Sequence, residues 1–113
     1  MDKNGCVFCQ IISGKLNSNI VWQDDSAIAI YDRNPQAPAH ILLIPKQHFS
    51  DITECKDSSM LGKLFQAATC IAAKEGLSNG FRIVVNTGSD GGQTVYHLHI
   101  HLLGGRALSW PPG

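Results

Sequence analysis

A chain of 113 residues, 43% of them hydrophobic, has enough apolar side chains for one compact core and too few for two, so a single domain spanning residues 1–113 is expected. Nine basic residues balance nine acidic ones, which excludes a surplus positive field able to hold a nucleic acid polymer, so any nucleotide partner is small. No apolar run approaches the length of a membrane span and the start Met1-Asp2-Lys3-Asn4-Gly5 is polar rather than secretory, so no membrane partner and a cytoplasmic location are expected, with Cys6, Cys9, Cys55 and Cys70 reduced or bound to metal.

In chain order, Cys6 to Ser13 carries Val7, Phe8, Ile11 and Ile12 and reads as a short amphipathic helix that Gly14 ends. Ile20-Val21-Trp22 and Ala27 to Tyr31 flank the turn-prone Asp24-Asp25-Ser26 and read as a hairpin. Asn34-Pro35-Gln36-Ala37-Pro38 interrupts the pattern, and Ile41 to Ile44 resumes it as a strand capped by Pro45. From Asp57 to Glu75, Leu61, Leu64, Phe65, Ala68, Ile71 and Ala72 recur at helical spacing, with Asp57 or Ser58 as N-cap and Gly76 just beyond the end. Phe81 to Asn86 and Tyr96 to Leu103 read as two further strands around the loop Thr87 to Gly92. This order lacks regular alternation of strand and helix, which favours an antiparallel α+β domain over a doubly wound one.

His97, His99 and His101 occupy every second position of the last predicted strand, so their imidazoles emerge on one sheet face while Leu98 and Ile100 turn toward a core. Catalysis, metal binding and a solvated histidine-rich strand all fit that pattern. Cys6-Val7-Phe8-Cys9 is equally open: a CxxC can be redox-active, half of a zinc site or coincidental. The pair Gly91-Gly92 fits a plain turn, or a backbone that a phosphate can approach.

The wider context resembles one family. His97-Leu98-His99-Ile100-His101-Leu102-Leu103 is similar to the histidine-triad (HIT) signature. Asp32-x-x-Pro35-x-Ala37-Pro38-x-His40-x-Leu42-x-Ile44-Pro45-Lys46-x-His48 resembles the family's nucleoside-side segment, and Asn86 to Tyr96 its phosphate-side loop. Leu103-Gly104-Gly105-Arg106 and the ending Trp110-Pro111-Pro112-Gly113 resemble its Hint branch, making 104–113 a Hint-type C-terminal tail. Only Lys15-Leu16-Asn17 and Ala107-Leu108-Ser109 depart visibly from that branch.

The resemblance implies an α+β fold with a five-stranded antiparallel sheet, one long and one short helix, and a homodimer that forms a continuous sheet. It implies hydrolysis of purine nucleoside 5′-phosphoramidates, with dinucleoside polyphosphate hydrolysis or non-catalytic nucleotide binding as alternatives. His99 would be the nucleophile, with His97, His101, His40 and Thr94 as further catalytic residues. The nucleotide, of AMP or GMP type, would meet Asp32 at the ribose, Phe8, Leu16, Ile30 and Leu42 at the base, and Asn86, Gly92, Gln93, Thr94, His99 and His101 at the phosphate. Matching positions in zinc-containing members imply that His48 and His97 join Cys6 and Cys9 in a closed, structural Cys₂His₂ zinc site, with no metal required for the chemistry.

Overall fold

The computed structural model describes residues 5–113; the polar start Met1–Asn4 lies outside the described residues. Capping chemistry delimits the helices. In α1 (Val7–Ile12) the Cys6 sulfur accepts from the Cys9 amide, and Gly14 at φ 85° turns the chain away. In α2 (Ser58–Lys74) the Asp57 carboxylate accepts from the Met60 amide, and Gly76 at φ 75° follows the last turn. A 3-10 turn at Ile52–Glu54, absent from the sequence reading, is capped by Asp51, which takes the Thr53 amide at 2.8 Å.

Five strands form one antiparallel sheet: β1 (Ile20–Gln23), β2 (Ala27–Tyr31), β3 (Ala39–Pro45), β4 (Phe81–Val84) and β5 (Ile100–Gly104). Their spatial order is β1-β2-β3-β5-β4, with β1 and β4 at the edges. Asp24 closes the β1–β2 turn by accepting from the Ser26 and Ala27 amides at 2.8 and 2.9 Å. The five antiparallel strands with one long and one short helix are those expected from the sequence.

Strand alternation divides the core in two. Ala27 and Ala29 of β2, Ile41 and Leu43 of β3, and Ile100 and Leu102 of β5 pack with Leu64, Ala68, Ile71 and Ala72 of α2. The opposite face gathers Ile28 and Ile30 of β2 and Leu42 and Ile44 of β3 with Phe8 and Ile11 of α1. Cross-strand register sets His101 against Leu42 and Val84, on that second face.

Truncation should reveal which side of α2 carries the core. Leu64 is 2% exposed, so Leu64→Ala should lower the unfolding free energy by about 2–5 kcal/mol. Lys63→Ala on the solvent side should change it by no more than about 0.5 kcal/mol, as read from urea denaturation.

Candidate active site

The last predicted strand begins later than its sequence suggests. β5 starts at Ile100 rather than Tyr96, and β4 ends at Val84 rather than Asn86, so only His101 of the three histidines lies within the ladder. The cause is a change of hydrogen-bond partners. Pro45 has no N–H to continue the β3 pairing, its carbonyl oxygen is taken by His97 Nε2 at 2.8 Å, and the Leu98 amide turns to the Phe49 carbonyl at 2.7 Å. The His97 carbonyl is taken by His99 Nδ1 at 2.7 Å. Alternation nevertheless persists: the His99 and His101 rings lie 4.9 Å apart by centroid, while Ile100 and Leu102 enter the α2 core.

Backbone groups decide which nitrogen of each ring carries a proton. A carbonyl only accepts, so His97 is protonated at Nε2 and presents its Nδ1 lone pair, whereas His99 is protonated at Nδ1 and presents its Nε2 lone pair. His40 is fixed from the other direction. The Gln36 amide donates to His40 Nδ1 at 3.0 Å, which leaves the proton on Nε2, and Nε2 donates to His101 Nδ1 at 2.9 Å. His101 in its neutral form therefore carries its proton on Nε2.

Burial keeps these rings neutral. Desolvation, reinforced by the neighbouring imidazoles, pushes His97 and His101 down to about 4. Desolvation also lowers His40 and His99, outweighing the opposing pull of Asp32, whose carboxylate lies 3.4 Å from His40 Nε2. At neutral pH the site thus offers an imidazole lone pair at His99 Nε2 beside an N–H donor at His101 Nε2, while the His97 lone pair faces the cysteines.

The surrounding candidates divide into groups. Asp32 borders a cavity of about 230 Å³ shared with Asn17, Ser18, Asn19, Tyr31 and Arg33. Phe8, Ile30 and Leu42 belong to one buried cluster, with the Phe8 ring 5.0 Å from that of His99. Leu16 stands apart, 37% exposed in the link after α1, because Gly14 has already turned the chain outward. Asn86 is half-buried just beyond β4, while Gly92 and Thr94 are exposed on the loop between β4 and β5.

Gln93 is buried and its amide is committed to the protein. Oε1 accepts from the Gly88 amide at 3.0 Å, and Nε2 donates to the Ser50 and Val95 carbonyls at 2.7 and 3.1 Å. It shapes the loop and ties it to the segment after β3. Gly91 is required by close approach: a Cβ there would lie 2.4 Å from the Thr87 carbonyl oxygen.

Cys6, Cys9, His48 and His97 converge beside the histidines, their ligand atoms all within 4.8 Å of one another. Nδ1 of His97 lies 3.3 Å from Cys6 Sγ and 3.5 Å from Cys9 Sγ, and Nδ1 of His48 lies 3.3 Å from Cys9 Sγ. This donor set fits zinc, because two thiols meet two imidazoles and His97 turns its lone pair inward while its other nitrogen donates to a carbonyl. Asp32, His40 and His101 also converge, with ligand atoms within 4.8 Å, but there a proton on His40 Nε2 already occupies the centre. Cys55 and Cys70 belong to neither group.

Sequence reasoning found the side chains and missed the backbone. The Gln36 amide and the Pro45, Ser50 and His97 carbonyls organise the site, and no residue type announces them. The rings also set a pH dependence. A histidine titrating at about 4 in the fold and near 6.5 in the unfolded chain leaves the unfolded state with more protons between those values. Stability should be complete above about pH 6.5 and decline as pH falls toward about 4. Thermal unfolding across that range checks this, together with the NMR titration of His101, whose midpoint should fall well below 6.

Comparison with known proteins agrees with this architecture. The HIT domain family model matches residues 13–108. An Arabidopsis thaliana protein called adenylylsulfatase HINT1 is 45% identical over 111 residues, covering 95% of this chain and 76% of the relative. A 14 kDa zinc-binding protein of Brassica juncea is 46% identical over 112 residues, covering 95% of this chain and 98% of the relative. The crystal structure of a HIT family hydrolase from Legionella pneumophila superposes with a TM-score of 0.94 at 45% identity, covering 96% of this chain and all of that one. With the family model matched over residues 13–108 and these relatives 45% or more identical across nearly all of it, the chain belongs to the HIT domain family and is Hint-like within it.

Proposed function

We propose that the protein hydrolyses purine nucleoside 5′-phosphoramidates, such as adenylated amines, through a nucleotidyl intermediate on His99. The observation that carries this reading is the bond from His99 Nδ1 to the His97 carbonyl at 2.7 Å, in a ring that burial keeps neutral. It leaves Nε2 as a lone pair able to attack phosphorus. Nε2 forms the P–N bond, the bond from phosphorus to the leaving amine breaks, and the amine departs with a proton passed with help from the Thr94 hydroxyl. Water then attacks the nucleotidyl-histidine, releasing the nucleoside monophosphate and restoring His99. The Nε2–H of His101 meets charge that develops on the non-bridging oxygens, and His40 holds His101 in that orientation.

Asp32 accepts from the ribose hydroxyls, and Phe8, Ile30 and Leu42, with Leu16 at the rim, receive the base. Asn86, Gly92 and the loop that Gln93 organises border the phosphate. The name of the Arabidopsis relative supports adenylyl transfer to water, with sulfate in the place of the amine. Dinucleoside polyphosphates are the second reading within the same chemistry. The intact, tautomer-fixed triad favours catalysis over nucleotide binding alone.

Zinc in the Cys6-Cys9-His48-His97 cluster would be structural, supported by its donor set and by the name of the Brassica relative. No metal enters the reaction. The whole chain acts as one domain with a Hint-type tail at 104–113. A homodimer pairing β4 edges into a continuous sheet is supported by the open edge of β4, the exposed Phe81 and Trp110 at 81% exposure. The tail would then shape the leaving-group side of the neighbouring subunit's site. A cytoplasmic setting suits four cysteines that form no disulfide among the described residues, where no helix is long and apolar enough to cross a membrane.

With adenosine 5′-phosphoramidate as substrate, wild-type protein should release AMP and yield a trappable nucleotide adduct. His99→Ala should abolish turnover while AMP affinity stays within about tenfold, because the nucleophile acts on the transition state. A variant keeping a tenth of the wild-type kcat would refute the assignment. Cys6→Ser with Cys9→Ser should lower bound zinc and thermal stability together, and wild type purified without chelator but free of zinc would contradict the structural site. Deleting residues 110 to 113 should change selectivity among bulky amines more than AMP affinity; equal rates across the amine series would remove the tail from the site.

A further inference from the structure

We propose that Cys6 and Cys9 form a reversible oxidation site, at which a hydroperoxide converts the dithiol to a disulfide and thereby weakens nucleotide binding and turnover at the histidine site. The proposal adds regulation to the function read above and rests on the His99 face as the nucleotide site.

Cys6 caps α1 and Cys9 is the third residue within it, so the two stand one helical turn apart. That spacing separates their Cα atoms by about 5 Å, inside the range a disulfide spans. Their sulfurs already lie within 4.8 Å, and Cys6 Sγ sits 3.4 Å from the Cys9 amide nitrogen. Rotation of the side chains with a small adjustment of the turn between them closes the gap. Cys55 is buried with its sulfur facing the Asp57 carbonyl at 3.8 Å, and Cys70 is exposed on the far side of the molecule's core, on α2.

Exposure orders the chemistry. Cys9 is half-buried and Cys6 is buried, so the Cys9 thiol meets the peroxide first. Its sulfur attacks one peroxide oxygen, the O–O bond breaks, and Cys9 sulfenic acid forms as an alcohol leaves, or water when the oxidant is hydrogen peroxide. Cys6 Sγ then attacks the Cys9 sulfur, expelling water and forming the S–S bond. Two thiols have been oxidised by two electrons and one peroxide reduced by two. A dithiol reductant reverses the change by exchange.

Two contacts carry the change to the histidines. Phe8 lies between the cysteines on the same turn, and its ring packs edge-on against His97 and His99 at 5.9 and 5.0 Å. His97 Nδ1 faces both sulfurs, while the carbonyl of the same residue holds His99 Nδ1. Drawing the sulfurs together takes both thiol donors away from His97 and His48, so any metal held there is released. It also shifts the turn that carries Phe8.

The test uses the full chain with Cys70→Ser, which removes intermolecular disulfides, in zinc-loaded and metal-free forms treated with hydrogen peroxide. Peptide mapping should find the loss of two hydrogen masses at Cys6 and Cys9 before Cys55 reacts. A chromogenic chelator should detect zinc leaving the loaded form in step. Calorimetry should show AMP affinity weakened by at least about fivefold, with turnover falling and both recovering in dithiothreitol. Cys9→Ser should form no disulfide. A Cys6–Cys9 disulfide with AMP affinity and turnover unchanged would overturn the proposal, as would oxidation falling first on Cys55. If the reduced protein binds no AMP, the nucleotide reading has failed instead, and the His99 ring ¹⁵N resonances then decide: no shift on disulfide formation refutes the coupling.

Discussion

The arrangement of the site depends on a hydrogen bond between residues two apart in the same short segment, from His99 Nδ1 to the His97 carbonyl at 2.7 Å. A free imidazole exchanges its proton between two nitrogens, and only one tautomer leaves Nε2 available. The carbonyl makes that choice, but only while the His97 backbone is held. Pro45 holds it, by accepting from His97 Nε2, and the Phe49 carbonyl holds the next amide. The point where β3 stops pairing is therefore the point from which the ring proposed as nucleophile is oriented.

That arrangement requires a sheet with two unlike faces. The face toward α2 is filled by aliphatic side chains such as Ile41, Leu43, Ile100 and Leu102, all at or near zero exposure. It makes the sheet rigid without polar groups to satisfy. The other face carries His40, His97 and His99 at 6%, 0% and 8% exposure, with Phe8 of α1 packed against the last two. Buried polar rings are tolerable there because each has a specific partner, and most of these partners are backbone groups that cannot rotate away. Mechanical rigidity on one face thus permits polarity on the other.

Much of this was legible in the sequence, for reasons that can be named. Apolar spacing located α2 to within a residue at each end, because Asp57 and Gly76 mark its limits with side-chain and backbone chemistry. The every-second-residue histidines predicted a shared face correctly even though the strand assignment around them was too long. An extended chain alternates its side chains whether or not it is hydrogen-bonded to a neighbour, so periodicity reports direction and not pairing. Gln93 shows the opposite limit. The family resemblance implied a phosphate contact there, whereas its side-chain amide is occupied by Gly88, Ser50 and Val95. The convergence of Cys6 and Cys9 with His48 and His97 was available only by family resemblance, since sequence separations of 39 and 91 residues carry no geometric information.

Neutrality of the rings is a collective property, and under the proposed function it explains how a site for an anionic substrate can be built from groups without charge. Asp32 pulls His40, His99 and His101 toward protonation, yet desolvation outweighs it at each ring. Were the rings cationic, they would attract a phosphate more strongly, but a protonated His99 would have no lone pair for the proposed attack. The fold resolves this conflict by supplying N–H dipoles instead of cations. His40 receives the Gln36 amide at one nitrogen and passes a proton-bearing nitrogen toward His101, which in turn presents its own N–H outward. A chain of oriented donors can stabilise developing negative charge without raising the proton affinity of the nucleophile's neighbours into the neutral range. The separation of duties follows from packing: the ring that must keep a lone pair is pinned by an acceptor, and the ring that must keep a proton outward is pinned by a donor.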